Sequence, residues 1–304
     1  MAIAETANFT RAAERIFLSQ PALSKQIKEV EDEIGVQIFL RNREGAFMTA
    51  AGQMIVSYAE EALRERAEII KAARAVHQGE VPVLRLGFSC FVHTEILQSF
   101  GESYASLLPE CPTQLSSCNP AQLFRRMEEN ALDGALVPLP VSGDFWMVEQ
   151  LTSAPLVICL KADDPLADQS EIQPSELSGR LKIFRDPDVH PHAHNRLVEL
   201  LAEIGIQPEV TCLAATPADI QWMVRAGYGL ALIDQKTDLD PSLTTRPIAG
   251  MQWTAYTAFV YHRKAEHLAL PILVRHLQRT KSRGFSKRLL RKREIHPLQS
   301  EFPA

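Results

Sequence analysis

Apolar and polar positions change period three times along this chain. From Phe9 to Gly35 the run FTRAAERIFLSQPALSKQIKEVEDEIG carries two helical patterns with a tight break between them. The first sets Ala12, Ala13 and Ile16 on one side, with Arg11, Glu14 and Arg15 turned away. The second spaces Leu23, Ile27, Val30 and Ile34 by 4, 3 and 4, one helix face kept for a core. Phe17-Leu18-Ser19-Gln20 forms the break. Ser19 predicts an N-cap, because its hydroxyl can accept from an orphan amide of the first turn. Pro21 follows where it has no hydrogen bond to lose, and Gly35 stops the helix. Two short helices joined by such a turn make a helix-turn-helix. The solvent face of the second offers Gln20, Ser24, Lys25 and Lys28, side chains that reach base edges and phosphates in a major groove. An amphipathic helix pair that binds nothing has the same pattern, and these residues alone leave both readings open.

Residues 36–49 shift to a strand-like alternation, Ile38 and Leu40 against Gln37 and Phe39, with a turn at Gly45. This predicts a small wing whose Arg41 and Arg43 flank the helices. Thr49 then caps a long helix reaching about Ala75. Along it Ile55, Ala59, Ala62, Arg66, Ile69, Ala73 and Val76 recur at alternating spacings of 4 and 3, widened by Leu63 and Ile70. Heptad spacing with small alanines predicts a helix paired with a second copy. The hinge is Gln78-Gly79-Glu80-Val81-Pro82.

From Val83 strands and helices alternate. Strands are predicted at 83–88, 113–117, 134–139, 156–161, 181–185, 209–213, 230–233 and 256–262. Helices are predicted at 95–108, 121–130, 193–204, 217–226 and 268–280. Repeated β-α-β order implies parallel sheets covered by helices on both faces. The pattern divides into two lobes, one over 83–155 plus 263–280 and the other over 160–255. The strands at 156–161 and 256–262 cross between them. The expected organisation is a helix-turn-helix domain over 1–49, a linker helix over 50–78, a two-lobed α/β domain over 79–280 and a basic tail over 281–304.

The wording of the first stretch is more specific than its periodicity. Ala12-Ala13, Ser19-Gln20-Pro21-Ala22-Leu23-Ser24, Gln26-Ile27, Glu31, Gly35, Phe39, Arg41 and Thr49-Ala50-Ala51-Gly52 resemble the winged helix-turn-helix of LysR-type transcriptional regulators. In that family a helix precedes the pair, and Met1 stands where its middle would be, so the chain is expected to lack the start of that helix. LRLGF, LDGALV and ADIQWMVRAGYGLALID match the family's effector domain more weakly, a two-lobed fold of the type II periplasmic-binding-protein kind. The resemblance implies a homodimer or tetramer that binds a pseudo-palindromic promoter site and answers to a small molecule. It implies that Gln20, Pro21, Ser24 and Lys25 face bases, with Ser19, the cap of the same helix, also in the DNA-binding set. Thr10, Arg11, Lys28, Arg41 and Arg43 would face phosphates. Ile55, Ala59, Ala62, Ile69 and Ala73 would form the dimer seam. The alternative is a small-molecule-binding module whose DNA-binding head no longer works.

Charge sharpens this picture. The chain carries −5 overall, divided as −1 over 1–78, −11 over 79–274, +8 over 275–294 and −1 over 295–304. A near-neutral head attracts phosphate weakly from one protomer, so duplication by dimerisation matters more. The basic tail is a solvated segment, a dock for the acidic domain, or an extra DNA contact. Five scattered cysteines without a CxxC suit a reducing cytoplasm and no disulfide frame or zinc site. No apolar run is long enough to span a membrane. GxSxG, P-loop and HExxH signatures are missing, Asp163-Asp164 reads as a turn pair before Pro165, and neither an enzyme nor a cofactor is expected.

In open α/β sheets ligands bind beyond the carboxyl ends of strands, against helix N-termini. Four loops qualify. They offer Ser89, Cys90, Phe91, His93 and Thr94 after the first strand, Asn119 and Pro120 before the second helix, and Arg185 to His194. The fourth is the end near Asp234 and Gln235. Ser89, Cys90, Phe91, His93, Asn119, Pro120, Arg185, Pro191 and His192 are the candidate effector residues, and free helix amides favour an anion. Pro120 stands where the family commonly has a hydroxyl residue. The run RDPDVHPHAH could also hold a metal, but its two prolines hinder convergence, and a polar cleft loop is the preferred reading.

Overall fold

The computed structural model describes residues 1–42 and 45–280. Arg43, the side chain of Arg41 and the basic tail at 281–304 lie outside the described residues. The chain forms two compact units, Met1–His77 and one beginning at Gln78.

The first unit contains α1 (Ala2–Thr6), α2 (Phe9–Arg15), α3 (Gln20–Ile34), β1 (Phe39–Asn42), β2 (Gly45–Met48) and α4 (Ala50–Gln78). The expected cap at Ser19 holds, its Oγ accepting the Ala22 amide to start α3, and Asn8, which had no place among the expected caps, starts α2 by accepting the amides of Thr10 and Arg11 on its Oδ1. Gly35 ends α3 in the left-handed region at φ 69°. Thr49 Oγ1 accepts from the Gly52 amide and donates to the Gln37 carbonyl, joining α4 to the segment before β1. The core is small: Ile3, Phe9, Ala12, Ala13, Leu23, Ile38, Phe39 and Ala46 are buried.

That small core corrects two expectations. Only Leu23 of the α3 face is buried, Ile27 packs at its edge, and Val30 and Ile34 are about 40% exposed. The helix outruns the core it packs on. In the wing, Ile38 and Phe39 are both buried while Leu40 is exposed, because Ile38 precedes the strand rather than alternating within it. Glu31 does what the apolar face does not: its Oε1 accepts the amides of Ile38 and Phe39 at 2.7 and 2.9 Å, tying α3 to the wing.

The second unit runs β3 (Leu84–Ser89), α5 (Thr94–Leu107), β4 (Thr113–Cys118), α6 (Pro120–Glu128), β5 (Gly134–Pro138) and β6 (Trp146–Lys161). A short 3-10 turn at Pro165–Asp168 follows. Then come α7 (Pro174–Leu177), β7 (Leu181–Arg185), α8 (Pro191–Glu203), β8 (Cys212–Ala214) and α9 (Pro217–Arg225). Next are β9 (Leu230–Asp234), β10 (Leu243–Arg246) and β11 (Thr254–His262), and a last helix, α10, over 269–280. The strand order is β4-β3-β5-β11-β6-β9-β7-β8, with β10 beside β6.

The parallel arrangement expected from β-α-β order holds for β4-β3-β5 and for β9-β7-β8. It fails in the middle, where β11 pairs antiparallel with β5 and β6, and β6 pairs antiparallel with β9 and β10. These strands carry the chain from one lobe to the other and back, so they must run in opposite directions. The first crossing strand starts at Trp146, ten residues before the predicted 156. Its first half alternates too weakly, with Glu149 and Gln150 inside it, to stand out as a strand. β10 was not anticipated, and β8 is displaced to 212–214 from the predicted 209–213.

Each sheet is covered on both faces, as its period-two pattern requires. In lobe one Leu136 joins Leu86, Phe100, Phe259 and Leu273 on the side of α5 and α10, while Ala135 and Val137 join Leu123, Met127 and Trp146 on the side of α6. In lobe two Ile158 and Leu160 face one cluster, and Val157 and Cys159 face the other with Ile220 and Val224 of α9.

Gly52 offers a direct check on the first unit. A Cβ there would lie 2.1 Å from the Ile38 carbonyl oxygen, a backbone atom that cannot swing aside. Gly52→Ala is therefore expected to destabilise the first unit by about 1–3 kcal/mol, the usual cost of overpacking. A chemical denaturation midpoint unchanged from the parent would refute this.

Candidate functional site

The DNA-facing candidates share one side of α3. Gln20, Pro21, Ser24, Lys25 and Lys28 recur at helical spacing, opposite Leu23 and Ile27. Pro21, Lys25 and Lys28 are exposed, Gln20 and Ser24 half-buried. Lys25 lies 3.7 Å from Glu29 on the same helix, an exposed pair that leaves the ammonium in water. Thr10 and Arg11 are exposed in the first turn of α2, their amides already held by Asn8. Ser19 is occupied as the cap of α3.

Along α4, Ala59 and Ala62 are half-buried, and Ala73 and Ile69 are exposed. Ile55 packs at the edge of the head's own core. Met54 and Tyr58, which the heptad omitted, are 75% and 72% exposed, with Leu63 at 53%. The apolar stripe left open on α4 is therefore rotated toward Met54 and Tyr58 at its N-terminal end.

Between the lobes, the strand ends after β3, β5, β7 and β9 come together, and polar groups bridge across. The Ala121 amide at the start of α6 donates to the Val189 carbonyl at 3.1 Å. His190 Nε2 donates to the Pro138 carbonyl at 3.0 Å, and its Nδ1 accepts the Ala193 amide. His93 Nε2 lies 2.8 Å from Asp234 Oδ1, and Ser142 Oγ lies 3.2 Å from His192 Nδ1. Phe91, from lobe one, is buried in a cluster of lobe two, and the Arg185 guanidinium sits 4.5 Å over its ring.

The nine candidate effector residues divide by this geometry. Cys90, Phe91, His93 and Arg185 line one cavity of about 180 Å³, together with Asp234 and Asp238. Ser89 is buried, its Oγ accepting the Phe91 amide, and Asn119 caps α6 through the Gln122 amide. Pro120 and Pro191 are first residues of helices. His192 is engaged with Ser142. The histidine run does not converge: His190, His192 and His194 each bond a different group, and no cluster of metal-ligating side chains forms among the described residues. All five cysteines are free thiols.

A second, larger cavity of about 600 Å³ was not legible in the sequence. Leu139 to Val141 after β5, Leu197 and Leu200 of α8, and Trp253 to Tyr256 at the start of β11 form much of its wall. No local pattern marks these residues as neighbours. Arg185 lines this cavity too, and its guanidinium donates no hydrogen bond among the described residues. Burial pulls the guanidinium below its ordinary pKa, while Asp234 and Cys90 oppose that shift.

Comparison with known proteins places this architecture. Residues 77–281 match the LysR substrate binding domain, and residues 1–53 match the bacterial regulatory helix-turn-helix protein of the lysR family. The chain belongs to the LysR family of DNA-binding transcriptional regulators. It is 30% identical over 253 residues to the Hca operon transcriptional activator HcaR of Escherichia coli, covering 82% of this chain and 85% of that protein. It is 24% identical over 269 residues to AlsR of Bacillus subtilis, covering 88% and 89%. The fold is shared with the LysR regulator CbnR, at TM-score 0.55 and 17% identity over 91% of this chain and 96% of that one. HinK of Pseudomonas aeruginosa gives TM-score 0.57 at 18% identity, over 91% and 94%. The relatives are regulators, not enzymes. Among the described residues no helix of this LysR-family chain is long and apolar enough to cross a membrane.

His190 makes the lobe contact sensitive to acid. Burial pulls its pKa down to about 4, with repulsion from Arg185 adding to the effect and the bond to Pro138 opposing it. An unfolded histidine titrates near 6.5, so between about 6.5 and about 4 the unfolded chain holds the extra proton. Stability is full above that window and falls by about 3 kcal/mol as pH drops through it. Denaturant unfolding at several pH values should show this slope and its loss in His190→Gln; an equal slope in both proteins would show that His190 is not its source.

Proposed function

We propose that this LysR-family regulator answers to a small organic anion held between its two lobes, with Arg185 as the anchor. The observation that supports this is the guanidinium stacked on Phe91, desolvated by burial and with no hydrogen bond among the described residues. Such a group favours a planar acceptor that takes two N–H bonds at once. Residues 79–274 carry −11, so a positive group set between the lobes stands out against its surroundings. Arg185→Gln is expected to abolish the change in promoter activity caused by the inducing anion while promoter occupancy persists. An undiminished response would reject Arg185 as the anchor.

The DNA side of the proposal is a symmetric pair. CbnR is a LysR regulator whose structure with its target DNA is known. By the same logic, two heads of this protein read a pseudo-palindromic promoter site, joined through the stripe on α4. Gln20, Pro21, Ser24 and Lys25 meet bases, while Thr10, Arg11, Lys28, Arg41 and Arg43 meet phosphates. A target of this kind sets its work in the cytoplasm. Replacing Ser24 and Lys25 together by Ala should remove the footprint on its promoter and leave the sedimentation of the dimer unaltered. A footprint that survives would mean that the bases are read elsewhere.

A further inference from the structure

We propose that lobe two carries a second ligand site, at the opposite end of its sheet from the interlobe gap, and that this site takes a nucleoside monophosphate. It is independent of the Arg185 anchor. Arg185 ends β7, whereas the new site lies where β7 begins. β6 runs antiparallel to β9, so its last residue, Lys161, comes beside the starts of β9 and β7 at Leu230 and Leu181. The turn before β9 closes the space. Gly229 has φ 149°, and a Cβ on it would lie 2.8 Å from the Arg180 carbonyl oxygen, which accepts the Leu230 amide at 2.8 Å. A cavity of about 270 Å³ remains.

The lining selects charge. Lys161, Arg180 and Lys182 stand against one carboxylate, Asp164, in a domain that carries −11 over residues 79–274. Asp164 is already occupied: its Oδ1 accepts the Leu166 amide at 2.9 Å, and its Oδ2 accepts from Arg180 Nη2. That pair fixes the guanidinium, whose Nε and Nη1 donate no hydrogen bond among the described residues. Lys161 and Lys182 pair with Asp163 and Glu209, carboxylates 74% and 64% exposed and outside the lining. Water-exposed pairs of this kind are weak and exchange readily for a dianion. Three cations around one small space match a phosphate monoester, which carries close to two charges and three acceptor oxygens at neutral pH.

The rim selects a flat ring. Tyr228 lines the cavity, and Trp222 packs against it with ring centroids 5.7 Å apart. The two are 53% and 51% exposed, aromatic surface that a ligand can cover. A base joined to the phosphate through its sugar can stack there, and such stacking tolerates any base. The phosphate and sugar fit within the cavity, and the base is left on Tyr228.

The test uses the full chain at low salt and titration calorimetry with adenosine 5′-monophosphate, ribose 5-phosphate, adenosine and inorganic phosphate. Adenosine 5′-monophosphate is expected to bind once per chain and more tightly than any of its parts. Arg180→Gln should weaken it on the order of 10-fold, the scale of a lost charge-assisted hydrogen bond. Tyr228→Ala should weaken it by a similar factor, the scale of one stacked base, and leave ribose 5-phosphate unaffected. Circular dichroism and the thermal midpoint of each variant confirm folding. Lys161→Gln combined with Lys182→Gln replaces Arg180→Gln if loss of the Asp164 pair unfolds the lobe. Absence of binding by all four probes overturns the site. Undiminished binding in both the cation variant and the Tyr228 variant places the nucleotide elsewhere and overturns it too. Adenosine 5′-monophosphate that binds no better than inorganic phosphate, and is indifferent to Tyr228→Ala, overturns the nucleotide class.

Discussion

Both lobes hang on one antiparallel strand pair. β6 and β11 are paired from Thr254 opposite Pro155 to His262 opposite Trp146, with a bulge between Thr257 and Ala258. β6 then continues into lobe two, where it pairs with β9 and β10. Along that continuation Val157 and Cys159 point to one core and Ile158 and Leu160 to the other. A twist or slip of this pair would therefore move two cores and every strand end attached to them. The interlobe site exists because parallel strands on either side of the pair end toward the same gap, bringing several helix N-termini together.

Polar groups in that gap lose water and must find partners. Most have done so across the lobes, through His93 with Asp234, His190 with Pro138 and Ala121 with Val189. These contacts hold the lobes together and use up the groups that would otherwise attract a ligand. Arg185 is the conspicuous exception. It has an aromatic face beneath it and no hydrogen bond among the described residues. A ligand anion would supply the missing partner and sit where both lobes can feel it.

The head solves a different problem, that of folding around very few apolar side chains. Small alanines let α2 and α3 approach, and the carboxylate of Glu31 holds two amides of the wing segment. That leaves the face of α3 carrying Gln20, Ser24, Lys25 and Lys28 outside the core. The net charge of −1 over residues 1–78 makes a single head a weak attractor of phosphate, so duplication through α4 suits the role of a LysR regulator.

Much of this was present in local sequence. The caps at Ser19, Thr49 and Gly35, the long α4 and most strands and helices of the two lobes follow from patterns a few residues long. The motif around Ser19-Gln20-Pro21 also carried the family. The order of strands and helices pointed to two lobes and a crossing, but not to the true extent of β6, since Glu149 and Gln150 interrupt the apolar alternation that would announce a strand. Glu31 could be recognised as a family position but not as the tie to Ile38 and Phe39, seven and eight residues away. Arg185, Phe91 and His93 were legible as strand-end residues, because loops at carboxyl ends of parallel strands point to ligands. Which of them remained available was decided in three dimensions, where Ser89 and Asn119 closed their own loops and Arg185 was left open. The larger cavity belongs wholly to tertiary structure: Leu139, Leu197 and Tyr256 come from three distant segments, and only the crossing of β6 and β11 makes them neighbours.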